Sequence, residues 1–251
     1  MTPLRILIVD DEAPARERMR ELLDDCSAET PHTVVGEASN GLAGVDFLSS
    51  QAADVALVDI HMPGMSGIEF ARHVQLLQAP PAVIFVTAHD QYAVEAFELN
   101  AVDYLLKPVR ATRLAAALAK AAAGMRVTRE VLERVDPHPR RFLSVAERGR
   151  ITLVPLADVL YLKAEQKYVT ARTREREYLV EEPLSRLEQE FADEFVRIHR
   201  NCLASRRAIR GVERVEGDES DAGWALVLEA CDERLPVSRR QWPQVKSLVK
   251  S

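Results

Sequence analysis

Cysteine is scarce in this chain. There are three in 251 residues, Cys26, Cys202 and Cys231, far apart and outside any metal-ligand spacing. An odd, scattered set excludes a disulfide framework and suits a reducing compartment, the cytoplasm, where small buried thiols behave as apolar side chains. Long apolar runs are missing too. The N-terminus reaches Asp10-Asp11-Glu12 before a secretory core can form. The alanine-rich stretch Leu114 to Ala123 is short and carries Lys120, so no bilayer-spanning helix is expected. Internal repeats and low-complexity tracts are absent apart from that stretch. What is present is a globular composition, 47% hydrophobic, over a length that suits one large or two ordinary domains.

The charge is unevenly divided. Residues 1–137 hold 12 Lys+Arg against 20 Asp+Glu, net −8, and residues 138–251 hold 21 against 19, net +2. Acid collects in the first half, as a cation site favours. The second half concentrates arginine: Arg197, Arg200, Arg206, Arg207, Arg210, Arg239 and Arg240. A net of +2 is no nucleic-acid signature, and clustering counts for more than the sum.

Hydrophobic periodicity separates the same two halves. The first alternates strands near 4–9, 33–38, 54–58, 82–86 and 103–106 with helices 13–25, 41–50, 67–77, 91–98 and 111–123. Short apolar runs flanked by helical patterns predict a doubly wound, five-stranded parallel α/β sheet. Residues 124–139, with Gly124, Pro137, Pro139 and a helical middle at 128–135, read as a linker. Beyond residue 140 the period changes to short β runs at 142–145, 151–154, 159–162, 168–171, 178–180, 195–198, 209–215 and 224–228, with helices only at 183–191 and 239–249. The boundaries expected are 1–123, 124–139 and 140–251, the last domain mainly β.

Chemistry gathers at the strand ends of the first domain. Asp10-Asp11 closes the run Ile6–Val9, Asp59 closes Val55–Val58, Thr87 closes Val83–Val86, and Lys107-Pro108 follows Tyr104-Leu105-Leu106. In an open parallel sheet, ligands bind beyond the carboxyl ends of the strands. Three carboxylates, a hydroxyl and an ammonium meeting there make a site for Mg²⁺ and a phosphoryl group. Asp11 and Asp59 supply direct oxygens, Asp10 acts through a water, and the His61 backbone carbonyl adds another ligand. The Asp59 carboxylate is the nucleophile toward phosphorus, Lys107 a point charge for phosphoryl oxygens, and the Thr87 hydroxyl a donor. Each residue alone is ordinary loop or cap chemistry; their order along successive strands is what carries the reading.

Ile6-Leu7-Ile8-Val9-Asp10-Asp11-Glu12, Val58-Asp59-Ile60-His61-Met62-Pro63-Gly64, Val86-Thr87-Ala88 and Tyr104-Leu105-Leu106-Lys107-Pro108 resemble the receiver domain of bacterial response regulators over roughly residues 4–123. The resemblance implies that Asp59 accepts phosphate from a sensor histidine kinase and that Asp10 and Asp11 hold Mg²⁺. It further implies a Thr87–Tyr104 switch pair and a cis Lys107–Pro108 peptide. Read from the residue alone, Tyr104 is equally a half-buried strand aromatic.

Residues 140–249 resemble the LytTR DNA-binding domain, through Val159–Val169, Phe195-Val196-Arg197-Ile198-His199-Arg200-Asn201 and Leu235-Pro236-Val237-Ser238-Arg239-Arg240. Together with the receiver contexts Ala88-His89-Asp90 and Val102-Asp103-Tyr104, they resemble the alginate-regulator branch. The resemblance implies loops entering successive major grooves of double-stranded DNA, with Lys167 and Tyr168, Arg200 and Asn201, and Arg239 and Arg240 as contacts. Ala204-Ser205 departs from the family pattern, and no contact is transferred there. Arg197 and His199 share a face with Asn201, yet His199 is equally a hydrogen-bonded structural residue. Arg206, Arg207 and Arg210 read as a solvated face sooner than phosphate contacts.

The function expected is therefore a two-component response regulator. Phosphorylation at Asp59 rearranges the face formed by 91–98, 103–106 and 111–123, and a homodimer places two output domains on repeated half-sites. Two other classes are weighed against it. A dehalogenase-type phosphatase needs a second acid two residues beyond the nucleophile, where His61 stands, so no enzyme is expected. A module that binds only protein partners would lack salt-dependent DNA affinity.

Overall fold

The computed structural model describes residues 3–27, 30–88, 103–124, 139–147, 150–165, 167–215 and 223–249. Helix 91–98 and the helical middle of the linker at 128–135 lie outside the described residues. The chain divides into two compact units, residues 1–138 with 146–152, and residues 139–145 with 153–251. Among the described residues no helix is long and apolar enough to cross a membrane.

In the first unit the elements are β1 (Leu4–Val9), α1 (Ala13–Cys26), β2 (His32–Ala38), α2 (Gly41–Ser50), β3 (Val55–Val58), α3 (Gly67–Val74), β4 (Ala82–Thr87), β5 (Asp103–Leu106) and α4 (Ala111–Ala122). The sheet order is β2-β1-β3-β4-β5, all pairs parallel. β3 and β4 are buried along their whole length, because helices cover both faces of a parallel sheet. The order reverses direction between β1 and β3, and the crevice at such a switch point, outside the carboxyl ends of the strands, is where ligands bind. Asn40 and Ser66 cap α2 and α3 with side-chain oxygens on Ala43 N and Glu69 N. α3 stops at Val74, three residues before the predicted end at 77.

From residue 142 onward the elements are β6 (Phe142–Glu147), β7 (Arg150–Pro155), β8 (Val159–Glu165), β9 (Tyr168–Thr173), β10 (Glu177–Val180), α5 (Leu184–Glu190), β11 (Phe195–His199), β12 (Cys202–Ser205), β13 (Ile209–Val215), β14 (Gly223–Leu228), β15 (Leu235–Val237) and α6 (Trp242–Val249), all in the second unit except the β6 and β7 residues within 146–152. A five-stranded sheet runs β10-β9-β8-β12-β11, beside the three-stranded β13-β14-β15 and the pair β6-β7. Alternation along the central strands feeds two cores. Phe195, Leu203 and Leu162 join Leu143, Val154, Leu187 and Phe191 in one. Val196, Ile198, Cys202 and Ala204 join Leu226, Leu235 and Val245 in the other. Strands β12 and β15 are absent from the sequence reading; β12 (Cys202-Leu203-Ala204-Ser205) holds no β-branched or aromatic residue and β15 has a central Pro236, so neither shows the strand signal of the short β3. α6 starts at Trp242, not at 239, with Pro243 in its first turn.

Arg140 opens the second unit at 3% exposure. Its guanidinium donates to Glu182 Oε1 at 3.0 Å and Glu190 Oε2 at 2.8 Å, and lies 5.7 Å from the centre of the Phe191 ring. Burial alone would make the charged form costly, and the two carboxylates outweigh it and hold the proton on.

Candidate functional site

The first site lies at the carboxyl edge of β1, β3, β4 and β5. Backbone bonds set its parts in place: Asp10 N donates to Ala38 O (3.1 Å), Asp59 N to Val9 O (2.8 Å) and Lys107 N to Thr87 O (2.8 Å). Asp10, Asp59 and Thr87 are buried, while Asp11 is exposed at the mouth. The carboxylates of Asp10, Asp11 and Asp59 each place an oxygen within 4.8 Å of the others. Lys107 Nζ reaches across, 2.8 Å from Asp10 Oδ2 and 3.3 Å from Asp59 Oδ1. Burial pushes the Asp59 carboxyl above its ordinary range, Lys107 pulls it back, and Asp10 adds to the rise. Burial acts against the Lys107 charge, but Asp10 and Asp59 outweigh it and keep the ammonium protonated. One ammonium offsets one of three clustered carboxylates, and the negative balance left over is the environment a hard divalent cation fits.

Two glycines shape the loop after β3. Gly64 has φ +81°, open to a residue without Cβ. At Gly67 a Cβ would fall 2.1 Å from the Asp59 carbonyl oxygen, so the start of α3 lies directly on the backbone of Asp59. Gly67 N also donates to Ile60 O at 2.8 Å. Neither role was legible in the sequence beyond the presence of Gly near a turn.

The remaining first-domain residues fall as follows. Thr87 ends β4 fully buried, and Tyr104, opposite Phe85 on β5, is 6% exposed. The Lys107–Pro108 peptide is cis. His61 is exposed on the loop between Asp59 and Gly67. Asp103, unremarked as a charge in the sequence, is buried and bonded by Lys120 and Arg113 of α4, each at 2.9 Å.

In the second unit, antiparallel pairing of β8 with β9 and with β12 puts the β8–β9 turn and the β11–β12 turn at one end of the sheet. Lys167 and Tyr168 occupy the first, both exposed, with Lys167 Nζ 5.6 Å from the Tyr168 ring centre. Arg200 and Asn201 occupy the second, Arg200 exposed and Asn201 half-buried. The Ser238 N–H donates to Ile198 O at 2.9 Å, which brings the exposed Arg239 and Arg240 to the same end. His199 takes the hydrogen-bonded alternative, with Nδ1 2.5 Å from Asn201 Oδ1. Arg197 is ion-paired with Glu188 of α5. Arg206 and Arg207 sit at the far end of β12; the first reaches Ala192 O at 3.4 Å and the second pairs with Glu194 at 2.8 Å, so they are partnered and away from the β8–β9 and β11–β12 turns.

Comparisons with known proteins agree on both halves. A family model described as the response regulator receiver domain matches residues 6–119, and one described as the LytTr DNA-binding domain matches residues 149–250. The chain is 41% identical to the positive alginate biosynthesis regulatory protein of Pseudomonas aeruginosa, covering 98% of this chain and 99% of the relative. It is 31% identical to the sensory transduction protein LytT of Bacillus subtilis, again covering 98% and 99%. Among solved structures, the response regulatory domain of protein mrkE from Klebsiella pneumoniae is 31% identical with a TM-score of 0.43, covering 49% of this chain and 98% of that one.

Proposed function

The chain belongs to the response regulators that join a receiver domain to a LytTr DNA-binding domain, and from that membership we propose that Asp59 is its phosphoryl acceptor. A sensor histidine kinase is the donor: the nitrogen–phosphorus bond of its phosphohistidine breaks as an Asp59 carboxylate oxygen bonds to phosphorus, and water later cleaves the acyl phosphate. The observation that carries the assignment is Lys107, whose ammonium stands 3.3 Å from Asp59 and 2.8 Å from Asp10 where the phosphoryl oxygens would lie. Thr87 is the hydroxyl that follows the phosphoryl group, and Tyr104 its partner in the switch. Asp10, Asp11 and Asp59, with the His61 backbone carbonyl, are the groups to hold Mg²⁺, which when bound neutralises their charge and that of the phosphoryl oxygens. His61 in place of a second acid favours a lasting acyl phosphate over turnover of outside substrates.

Receiver 1–123, linker 124–139 and output domain 140–251 are the working parts, in the cytoplasm. Lys167 and Tyr168, Arg200 and Asn201, and Arg239 and Arg240 are the three pairs that approach double-stranded DNA in its major groove. Phosphorylation favours the conformer whose face at 103–106 and 111–123 dimerises, and dimerisation on repeated half-sites raises affinity by effective concentration. The test is the full chain incubated with acetyl phosphate and Mg²⁺ and weighed intact. Wild type gains one phosphoryl group and Asp59→Asn none; labelling that persists in the variant removes Asp59 as the acceptor.

A further inference from the structure

All three DNA-facing segments of the second unit are tied to residues 197–201. Arg197 Nη1 donates to the Arg200 carbonyl at 2.9 Å, and Arg197 Nη2 is held by Glu188 of α5. With its side chain 15% exposed and its guanidinium engaged on both sides, Arg197 faces protein and not solvent. The Ile198 carbonyl accepts the Ser238 N–H, and the Ser238 carbonyl in turn accepts Gln241 N and Trp242 N at 3.0 Å each as α6 begins. Arg239 and Arg240 thus sit between two anchored points. The register shift between Arg197 and His199 on β11 is a bulge, a device that re-aims the side chains beyond it.

Asn201 makes the third tie. Its Oδ1 is taken by His199, its Nδ2 donates to Ala164 O at 3.3 Å, and its carbonyl accepts Ala164 N at 2.7 Å. Ala164 lies three residues before Lys167, so these bonds lock one contact turn to the other. Reading adenine takes an amide oxygen and an amide nitrogen together, and here the oxygen and one amide proton are already committed.

We propose that Arg197, His199 and Asn201 are positioning residues that hold the Lys167–Tyr168, Arg200 and Arg239–Arg240 segments at fixed spacing, and that Arg200 is the base-reading member of its turn. This rests on the reading that this end of the output domain meets DNA. The physical gain is preorganisation: segments already fixed lose less conformational freedom on binding.

The probe is duplex DNA enriched from a random-sequence library by the wild-type full chain. Thermal melting confirms that each variant is folded, and Kd is measured on the enriched duplex and on its single-base variants. Asn201→Ala is expected to weaken all of these about tenfold with base preference unchanged. In a chain already carrying Lys167→Ala and Arg200→Ala, the same substitution is expected to cost less than about twofold, because the contacts it positions are gone. Arg200→Ala, by contrast, flattens preference at one base pair. The proposal is overturned if Asn201→Ala flattens preference at one base pair, or keeps its full effect in the doubly substituted chain. Should Asn201→Ala not fold, Arg197→Lys, which keeps a charge facing Glu188 and loses the planar fork, enters the same cycle under the same criteria. A wild-type chain that enriches no duplex overturns the DNA reading itself and the positioning role with it. Enrichment with an additive cycle overturns the positioning role alone.

Discussion

Removing the Lys107 ammonium would leave Asp10 and Asp59, 6% and 7% exposed, side by side without that cation. Lys107→Met is expected to cost about 1–3 kcal/mol of receiver stability in metal-free buffer, the penalty for buried charged groups that lose a hydrogen-bonding partner. Urea unfolding with and without Mg²⁺ checks it: added Mg²⁺ should stabilise the variant more than the wild type, and equal shifts would contradict a shared role in neutralising the cluster. At this scale the sequence was informative about placement: Asp10, Asp59, Thr87 and Lys107, each at or just past a strand end, do meet at one sheet edge. It could not show the hydrogen bonds that Asn201 and His199 make with each other and with Ala164, nor the partners of Asp103, Arg113 and Lys120, which lie 10 and 17 residues away.

Elements transmit these constraints. The first residue of α3 lies against the Asp59 carbonyl, so Gly67→Ala must displace either the helix or the Asp59 backbone. It is expected to cost about 1–3 kcal/mol, as overpacking does, and to slow labelling by acetyl phosphate; an unchanged urea midpoint and rate would show that the loop yields freely. β5 is fastened to α4 through Asp103. Burial alone would push that carboxyl up, but bonds from Lys120, Tyr104 N and Arg113 outweigh it and hold it below the ordinary range. A depressed carboxylate stabilises the fold above its unfolded pKa of about 4 and loses that contribution as the pH falls. Melting curves of wild type and Asp103→Asn should therefore differ at neutral pH and converge in acid. Helix and strand positions in the first unit were legible because continuous apolar runs alternate with helical periods. β12 and β15 were not, since β12 lacks β-branched and aromatic residues and β15 is interrupted by Pro236.

Across the whole molecule, each unit has its own core, and a defect in one is expected to spare the other. Arg140 is the sharpest probe. Arg140→Ala strands Glu182 and Glu190 without their shared cation and should destabilise the second unit by roughly 3–5 kcal/mol. Calorimetry of the full chain checks this: the receiver transition stays where it is, and acetyl-phosphate labelling of Asp59 persists. Loss of both transitions together would mean that the units unfold as one. Hydrophobic period and the placing of acids and lysine at strand ends determined, from sequence alone, a parallel α/β first domain, a β-rich second domain and the grouping of Asp10, Asp59 and Lys107, because in a parallel sheet the carboxyl ends of all strands lie at the same edge. Only the tertiary structure decided which side chains face one another. Lys107 bridging two buried carboxylates, Gly67 against Asp59, and Asn201 tied to Ala164 all join residues distant or unordered in sequence, where hydrogen-bond geometry and burial, not pattern, select the partner.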